Sequence, residues 1–226
     1  MYRVEDKYCC SAQEMYCLQQ ILGNVLRSDS NENNKEGYSV SSLYFDDWKD
    51  SCLRDTVDGI EVRNKYRIRI YNYSLETIKL EVKEKLDSRI RKKSRKITQD
   101  EMRHLMYGEC IEDSGTVEDP ATLFNLAIRT KGLSPRVIVT YERKAYIYQD
   151  GNIRITFDRN VRADEFTENF GKKVREQNWL RDSDAVLEVK YDEFIPDFIL
   201  QILELGNMRQ TSYSKYQLCR ERYQII

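Results

Sequence analysis

The chain has 226 residues, with 37 Lys or Arg against 38 Asp or Glu and a formal net charge of −1. At 40% hydrophobic and 33% charged, with 3 Pro, the composition excludes a disordered chain, and the balanced charge excludes a global polycation. No apolar run approaches the roughly 20 residues that span a bilayer, and Met1–Glu5 has no signal-peptide core, so the expectation is a cytoplasmic protein forming a single domain over 1–226.

Residues 1–8 read as a first strand. Ser11-Ala12-Gln13-Glu14 is a capping box opening a helix to about Leu26, with Met15, Leu18, Ile21, Leu22 and Val25 as its apolar stripe. A polar loop over 29–37 leads to a strand at 38–46, rich in Tyr, Val, Ser and Phe. A short helix over 50–55 precedes an Asp58-Gly59 turn, and strands follow at 60–73, 77–86 and 89–97. Thr98-Gln99-Asp100-Glu101 is a second capping box, for a helix to about Tyr107, and another helix is predicted over 120–131. Strands return at 136–148, 152–159 and 185–192. Pro196 stands at a helix start, with Ile199, Ile202, Leu203 and Leu205 apolar up to Gly206; a last helix is predicted over 212–224. Short connections make the roughly eight strands mostly antiparallel, which predicts an α+β fold on one sheet that curls or closes.

The strands carry a second pattern. Arg63, Lys65, Arg67 and Arg69 alternate with Asn64, Tyr66, Ile68 and Ile70, and Lys79, Glu81, Lys83 and Lys85 alternate mainly with apolar residues. Shorter versions are Arg3-Glu5-Lys7, Arg154-Thr156-Asp158 and Glu188-Lys190-Asp192. Alternate side chains of a strand share a face, so one face of the sheet is ionic. Residues 63–96 hold 13 basic against 4 acidic groups, a local attraction for anions. Two arrangements satisfy this pattern. Either the apolar side faces a core and the charges face water, or the sheet is inverted, with charges lining a wet interior and helices covering the apolar outside. The second must pair its charges or hold an anion, because an unpaired buried ion costs several kcal/mol. Arginine forks fit phosphate. Carboxylates among the cations fit Mg²⁺ or Mn²⁺, which bridge carboxylate and phosphate oxygens.

Familiar nucleotide loops, G-x-x-x-x-G-K-[ST] and G-x-G-x-x-G, are absent from the sequence. The 6 cysteines include no C-x-x-C pair and read as reduced, small hydrophobes. The single histidine, His104, falls in a predicted surface helix and is given no role, which disfavours His-rich zinc sites and Ser-His or Cys-His nucleophiles.

Arg3-Val4-Glu5-Asp6-Lys7-Tyr8, Ser42-Leu43-Tyr44-Phe45-Asp46, Arg63 to Arg69, Leu80-Glu81-Val82-Lys83, Tyr141-Glu142-Arg143, Arg154 to Asp158, Leu187-Glu188-Val189-Lys190 and Ser214-Lys215-Tyr216 occur in this order. This ordered set, spanning nearly the whole chain, resembles the VTC domain, the polyphosphate polymerase branch of the triphosphate tunnel (CYTH-like) metalloenzymes. The resemblance implies a closed antiparallel β-barrel of about eight strands with a polar interior and helices packed outside. Arg3-x-Glu5-x-Lys7 replaces the E-x-E-x-K of hydrolytic relatives, losing one carboxylate and gaining a cation. By resemblance, Lys7, Arg67, Arg69, Lys83, Arg143, Arg154 and Lys215 form a phosphate clamp, with Ser214 beside it. Arg67, Arg69, Lys83, Arg143 and Arg154 carry catalysis. Glu188 is the first metal ligand, with Glu5, Glu81 and Asp158 behind it. Asp158 and Glu81 have a second reading, as carboxylates that orient arginines. Lys65, Lys79, Lys85 and Lys190 read equally as solvated strand-end residues, and Lys92 and Lys93 as a solvated basic edge.

The function so implied is transfer of the ATP γ-phosphate to inorganic phosphate or polyphosphate, with Mn²⁺ or Mg²⁺ as cofactor and no nucleic-acid partner or membrane span. Two alternatives stay open: a triphosphate hydrolase of the same fold, and a non-catalytic polyphosphate- or nucleotide-binding module.

Overall fold

Ser11 ends strand β1 (Val4–Ser11) and caps helix α1 (Ala12–Val25). Its hydroxyl accepts from the Glu14 amide at 3.3 Å, and the Glu14 carboxylate accepts from the Ser11 amide at 2.7 Å. This is the reciprocal box read from the sequence. The computed structural model describes residues 3–29, 37–87, 89–173, 177–178, 184–203, 208–212 and 214–223. The chain continues through β2 (Arg27–Ser28), β3 (Tyr38–Asp46), α2 (Ser51–Val57), β4 (Val62–Tyr71), β5 (Ser74–Leu86) and β6 (Arg89–Ile97). There follow α3 (Gln99–Met106), α4 (Pro120–Lys131), β7 (Ser134–Tyr148), β8 (Ile153–Asp164), β9 (Gln177–Asn178) and β10 (Asp184–Tyr191). Last come α5 (Asp197–Leu203), β11 (Arg209–Gln210) and α6 (Lys215–Tyr223). The expected strand positions Met1 and Tyr2, the loop centre 30–36, and the helical positions Leu205, Gly206 and Gln224 lie outside the described residues.

Local chemistry fixes the turns. β4 and β5 meet through Asn72 and Tyr73, both at positive φ (51° and 57°), the two-residue turn whose twist suits a hairpin. Thr98 and Glu101 form the second capping box, at 3.1 and 2.7 Å. Pro120 opens α4 behind Asp119, whose carboxylate accepts from the Ala121 amide at 3.0 Å. At Gly37, φ is +102° and a Cβ would stand 2.2 Å from the Arg143 carbonyl oxygen, so only glycine brings the chain into β3 this close to β7.

One antiparallel sheet of 11 strands runs β11-β1-β10-β8-β7-β3-β4-β5-β6, with β2 on β7 and β9 on β8. The closed barrel expected from the resemblance does not form. Among the described residues, β1 and β6 come together at an isolated bridge, Arg3 to Ile90, with N–H···O distances of 3.0 and 3.2 Å. The seam is short because β6 begins at Arg89, one residue from the bridge, where the chain turns in from β5; farther along β1, Tyr8 and Cys9 pair with β11. The sheet is therefore a curled, nearly encircling wall.

Its convex side is apolar. Tyr66, Ile68, Ile70, Ile78, Leu80 and Val82 pack under α3 and α4, where Phe124 meets the rings of Phe45 and Tyr66 edge-on, each at 5.3 Å. Ile155, Phe157, Leu187 and Val189 pack under α1 and α5, against Leu18, Leu22 and Ile199. Each fully buried side chain of this size stabilises the fold by about 1.5–3 kcal/mol. The helices are not all outside, however. Tyr38, Val40, Tyr44, Val137, Val139 and Tyr141 point to the concave side, and Tyr216 and Cys219 of α6 seat on them, with Leu53 of α2. These strands bear apolar residues on both faces over this stretch, so a helix is needed within as well as without. No helix among the described residues is long and apolar enough to cross a membrane.

Candidate active site: an ionic hollow

The concave face of β4 presents Lys65, Arg67 and Arg69, and register pairs Arg67 with Glu81 of β5 and Tyr44 of β3. Side chains at paired positions share a face, so three strands deliver these groups to one place. Together with β1, β7, β8, β10 and the start of α6 they enclose a cavity of about 300 Å³. Of the two arrangements the sequence allowed, the fold takes the inverted one.

The charges form linked clusters. Glu81, fully buried, accepts from Arg67 at 2.7–2.8 Å and from Lys92 at 2.9 Å, with Arg69 at 3.9 Å. Burial acts to raise the Glu81 carboxyl, but these three cations outweigh it and hold it well below the usual range. Arg67 also donates to the Tyr44 hydroxyl at 3.1 Å, and Arg69 to Ser42 and Tyr141 at 3.1 and 3.2 Å. Two strands along the same wall, Arg143 of β7 forks onto Asp158 at 2.6 and 2.7 Å, and Lys215 reaches the same carboxylate at 2.7 Å. Arg154 stands at the rim, bonded to Asp29 and, at 2.9 Å, to the Tyr38 hydroxyl.

Between these clusters lie Glu5 and Glu188. Glu5 accepts from Lys83 at 2.8 Å, Lys7 at 3.2 Å and Lys190 at 3.3 Å. One carboxylate cannot compensate three ammonium groups. Burial therefore pushes Lys83 down to about 7, Glu5 offsetting only part while Lys7 and Lys190 repel. Burial and the Glu5 charge act to raise Glu188, but Lys190, Lys7 and Lys215 prevail and hold it at about 2. Lys65 donates to Ser214 at 2.9 Å. Burial, then repulsion from Lys83, Lys7 and Arg63, set it well below the usual lysine range. Beyond Lys65 and Lys83 a second cavity of about 370 Å³, bordered by Arg63 and Lys85, continues the hollow toward the other mouth.

Residues 2–223 match the VTC domain. The chain belongs to the VTC domain family. No curated protein matches the chain as a whole. Among solved structures it is similar to the PH1819 protein of Pyrococcus horikoshii OT3, at 15% identity and TM-score 0.50, covering 98% of this chain and 99% of that one. It is also similar to PH1012 of the same organism, at 12% identity and TM-score 0.51, covering 96% and 98%. A Bacillus halodurans protein described as a candidate adenylate cyclase aligns at 11% identity and TM-score 0.52, over 89% of this chain and 86% of that one. At such identities the likeness is one of fold.

Every residue that the VTC resemblance assigned to the phosphate clamp or the metal lies on the concave side or its rim. Lys7, Arg67, Arg69, Lys83, Arg143, Arg154, Ser214 and Lys215 line the cavity with Glu5 and Glu188. Glu81 and Asp158 lie beneath it, engaged with Arg and Lys partners. Lys65 and Lys190, read equally as solvated in the sequence, also line it, and so does Lys92, which the sequence reading favoured as part of a solvated edge and which Glu81 instead draws inward. Lys93 turns the other way, to Glu84 at 2.7 Å. Asp46, at the end of the SLYFD segment, escaped notice as a structural anchor for α6, because its partner Tyr216 lies 170 residues away.

A divalent ion has a plausible place among these groups on chemical grounds. Lys190 bridges Glu188 and Glu5 at 2.6 and 3.3 Å, so a cation already stands between two hard oxygen donors. On neighbouring β8, the Thr156 hydroxyl and Arg154 Nε are buried without a hydrogen-bond partner. Among the described residues no three His, Cys, Asp or Glu side chains converge as a metal site. Glu188 and Glu5 are two hard donors, fewer than Mg²⁺ or Mn²⁺ takes, so any ion there would draw its other ligands from phosphate oxygens or water.

Proposed function

We propose that this chain is a phosphotransferase that moves the γ-phosphoryl group of ATP to inorganic phosphate or to the end of a polyphosphate chain. The observation that supports this best is the convergence of two sets of cations, Arg67 with Arg69 from β4 and Arg143 with Lys215 from β7 and α6, on one hollow of about 300 Å³. The size suits a short run of phosphates, and each set is held by a buried carboxylate that keeps the cations aimed inward.

In this reading Arg67 and Arg69 grip one part of the phosphate chain and Arg143 and Lys215 the next. Lys7 and Lys83 neutralise charge at the transferring group, and Arg154 holds the rim. The bond from γ-phosphorus to the β-bridging oxygen breaks as an acceptor phosphate oxygen bonds to that phosphorus, and ADP leaves. Such transfer needs in-line positioning and charge neutralisation more than covalent help. An anionic acceptor needs no general base. Mn²⁺ or Mg²⁺, held by Glu188 and Glu5, would supply charge neutralisation and orient phosphate oxygens. The reaction is tested by incubating the protein with ATP and Mn²⁺ and resolving ADP, phosphate and polyphosphate. Chain growth is the expected result. Phosphate release without chains would make it a hydrolase, and tight binding without turnover a binding module.

A further inference from the structure

Helix α6 brings Lys215 to the hollow, with Ser214 just before it, and packs over the concave face. Among its described side chains, Tyr216 and Cys219 are the buried ones. Polar tethers do the rest. The Tyr216 hydroxyl donates to Asp46 at 2.7 Å, its ring stacks on Tyr44 at 4.9 Å, and Arg220 reaches Asp50 at 2.7 Å.

Asp46 is a rigid anchor. Fully buried at the end of β3, it accepts backbone N–H groups from Asp47 at 2.9 Å, Cys52 at 2.9 Å and Leu53 at 3.0 Å. It thus joins the strand to the first turn of α2. Burial, then the Asp46 charge, push the Tyr216 hydroxyl far above its ordinary value, so it remains a donor at any working pH. Successive helical side chains point about 100° apart, so fixing Tyr216 also fixes the direction in which Lys215 leaves the helix. Lys215 then reaches Asp158 at 2.7 Å, while the Ser214 hydroxyl receives Lys65 at 2.9 Å.

We propose that Tyr216, through its hydrogen bond to Asp46, is a positioning residue that sets Lys215 and Ser214 against a phosphate chain in the hollow. This rests on the phosphate-binding reading above. It adds a specific route by which a side chain outside the clamp controls affinity.

The test is a double-mutant cycle with inorganic tripolyphosphate as the probe, read by calorimetry, with thermal midpoints recorded alongside. Tyr216→Phe keeps the ring stacked on Tyr44 and removes only the hydroxyl. In the otherwise unaltered chain it should weaken binding by about tenfold, the scale of one hydrogen bond to a charged acceptor. In a Lys215→Ala background the same change should alter affinity less than about twofold, because the group it positions is gone. An equal loss in both backgrounds, or a lowered thermal midpoint with unchanged affinity, would overturn the proposal while leaving phosphate binding intact. Failure of the unaltered chain to bind tripolyphosphate would overturn both readings. Should Tyr216→Phe not fold, Arg220→Gln, which cuts the second tether, goes through the same cycle with the same criteria.

Discussion

Arg143 and Asp158 meet through two parallel hydrogen bonds, 2.6 and 2.7 Å long, between side chains that solvent barely reaches. Burial alone would disfavour the Arg143 charge, but the Asp158 carboxylate reverses that and raises Arg143 well above its ordinary value. The pair is a fixed fork, one of whose carboxylate oxygens also serves Lys215. Removing the carboxylate strands two cations. Asp158→Ala should cost about 3–5 kcal/mol of stability, measured by urea unfolding. Saturating tripolyphosphate should restore part of it, since ligand binding stabilises the native state by linkage. Loss of stability with no rescue by the anion would place Asp158 outside the binding site.

Arg67, two strands away on β4, has its fork aimed by Glu81. Arg67→Ala should weaken tripolyphosphate binding by roughly 10- to 100-fold, the scale of one or two charged hydrogen bonds. Unchanged affinity, measured by calorimetry, would put that strand face outside the site.

Glu188→Gln separates the ion from the phosphates. It should abolish Mn²⁺ binding seen by electron paramagnetic resonance, while metal-free tripolyphosphate binding is kept or strengthened because one repelling charge is gone. Unaltered Mn²⁺ binding would remove Glu188 from the metal site.

Lys83 gives a pH signature. Its folded value of about 7 lies below the roughly 10.4 of an unfolded lysine, so between these limits the unfolded chain binds more protons. Its contribution to stability therefore rises with pH across that window and stays at its lowest, constant value below about 7, where both states hold the proton. A bound anion favours the ammonium, so binding near pH 8 should draw up to about one proton onto the protein. The apparent binding enthalpy of the unaltered chain should vary with the ionisation heat of the buffer more than that of Lys83→Met. Identical buffer dependence in the two proteins would contradict this.

Phe124 tests the outer layer. Its ring is fully buried between Phe45 and Tyr66 on the side away from the hollow. Phe124→Ala should cost about 3–5 kcal/mol by urea unfolding. Tripolyphosphate affinity at low temperature should be preserved.

Much of this was legible in the chain. Alternation from Arg63 to Ile70 announces a strand with one ionic face, and both capping boxes formed where Ser11 and Thr98 stand. The α+β class and antiparallel pairing follow from such local rules. Other features have no local signal. Strands of two residues, such as Arg27–Ser28 and Arg209–Gln210, are too short for a period to show. β8 runs on to Asp164, beyond the expected end at 159, through a register shift against β7 that breaks the alternation. Which way the ionic face looks depends on helices elsewhere in the chain. Closure failed as an expectation because the relevant contacts, Arg3 with Ile90 and Tyr8 with Gln210, join residues far apart in sequence. For the same reason, alternation could name Glu81 and Asp158 as carboxylates on the charged side but could not say that Arg and Lys already engage them.

The bridge between Arg3 and Ile90 fastens the circumference of this wall at a single backbone pair among the described residues. A hoop fastened by a full ladder has its width fixed by strand number and stagger. Here, among the described residues, two amide hydrogen bonds join the ends, and Lys83 of β5 reaches Glu5 of β1 at 2.8 Å beside them. The two ends of the wall therefore meet through an ion pair as well as through backbone, and that pair faces the same hollow as the clamp cations.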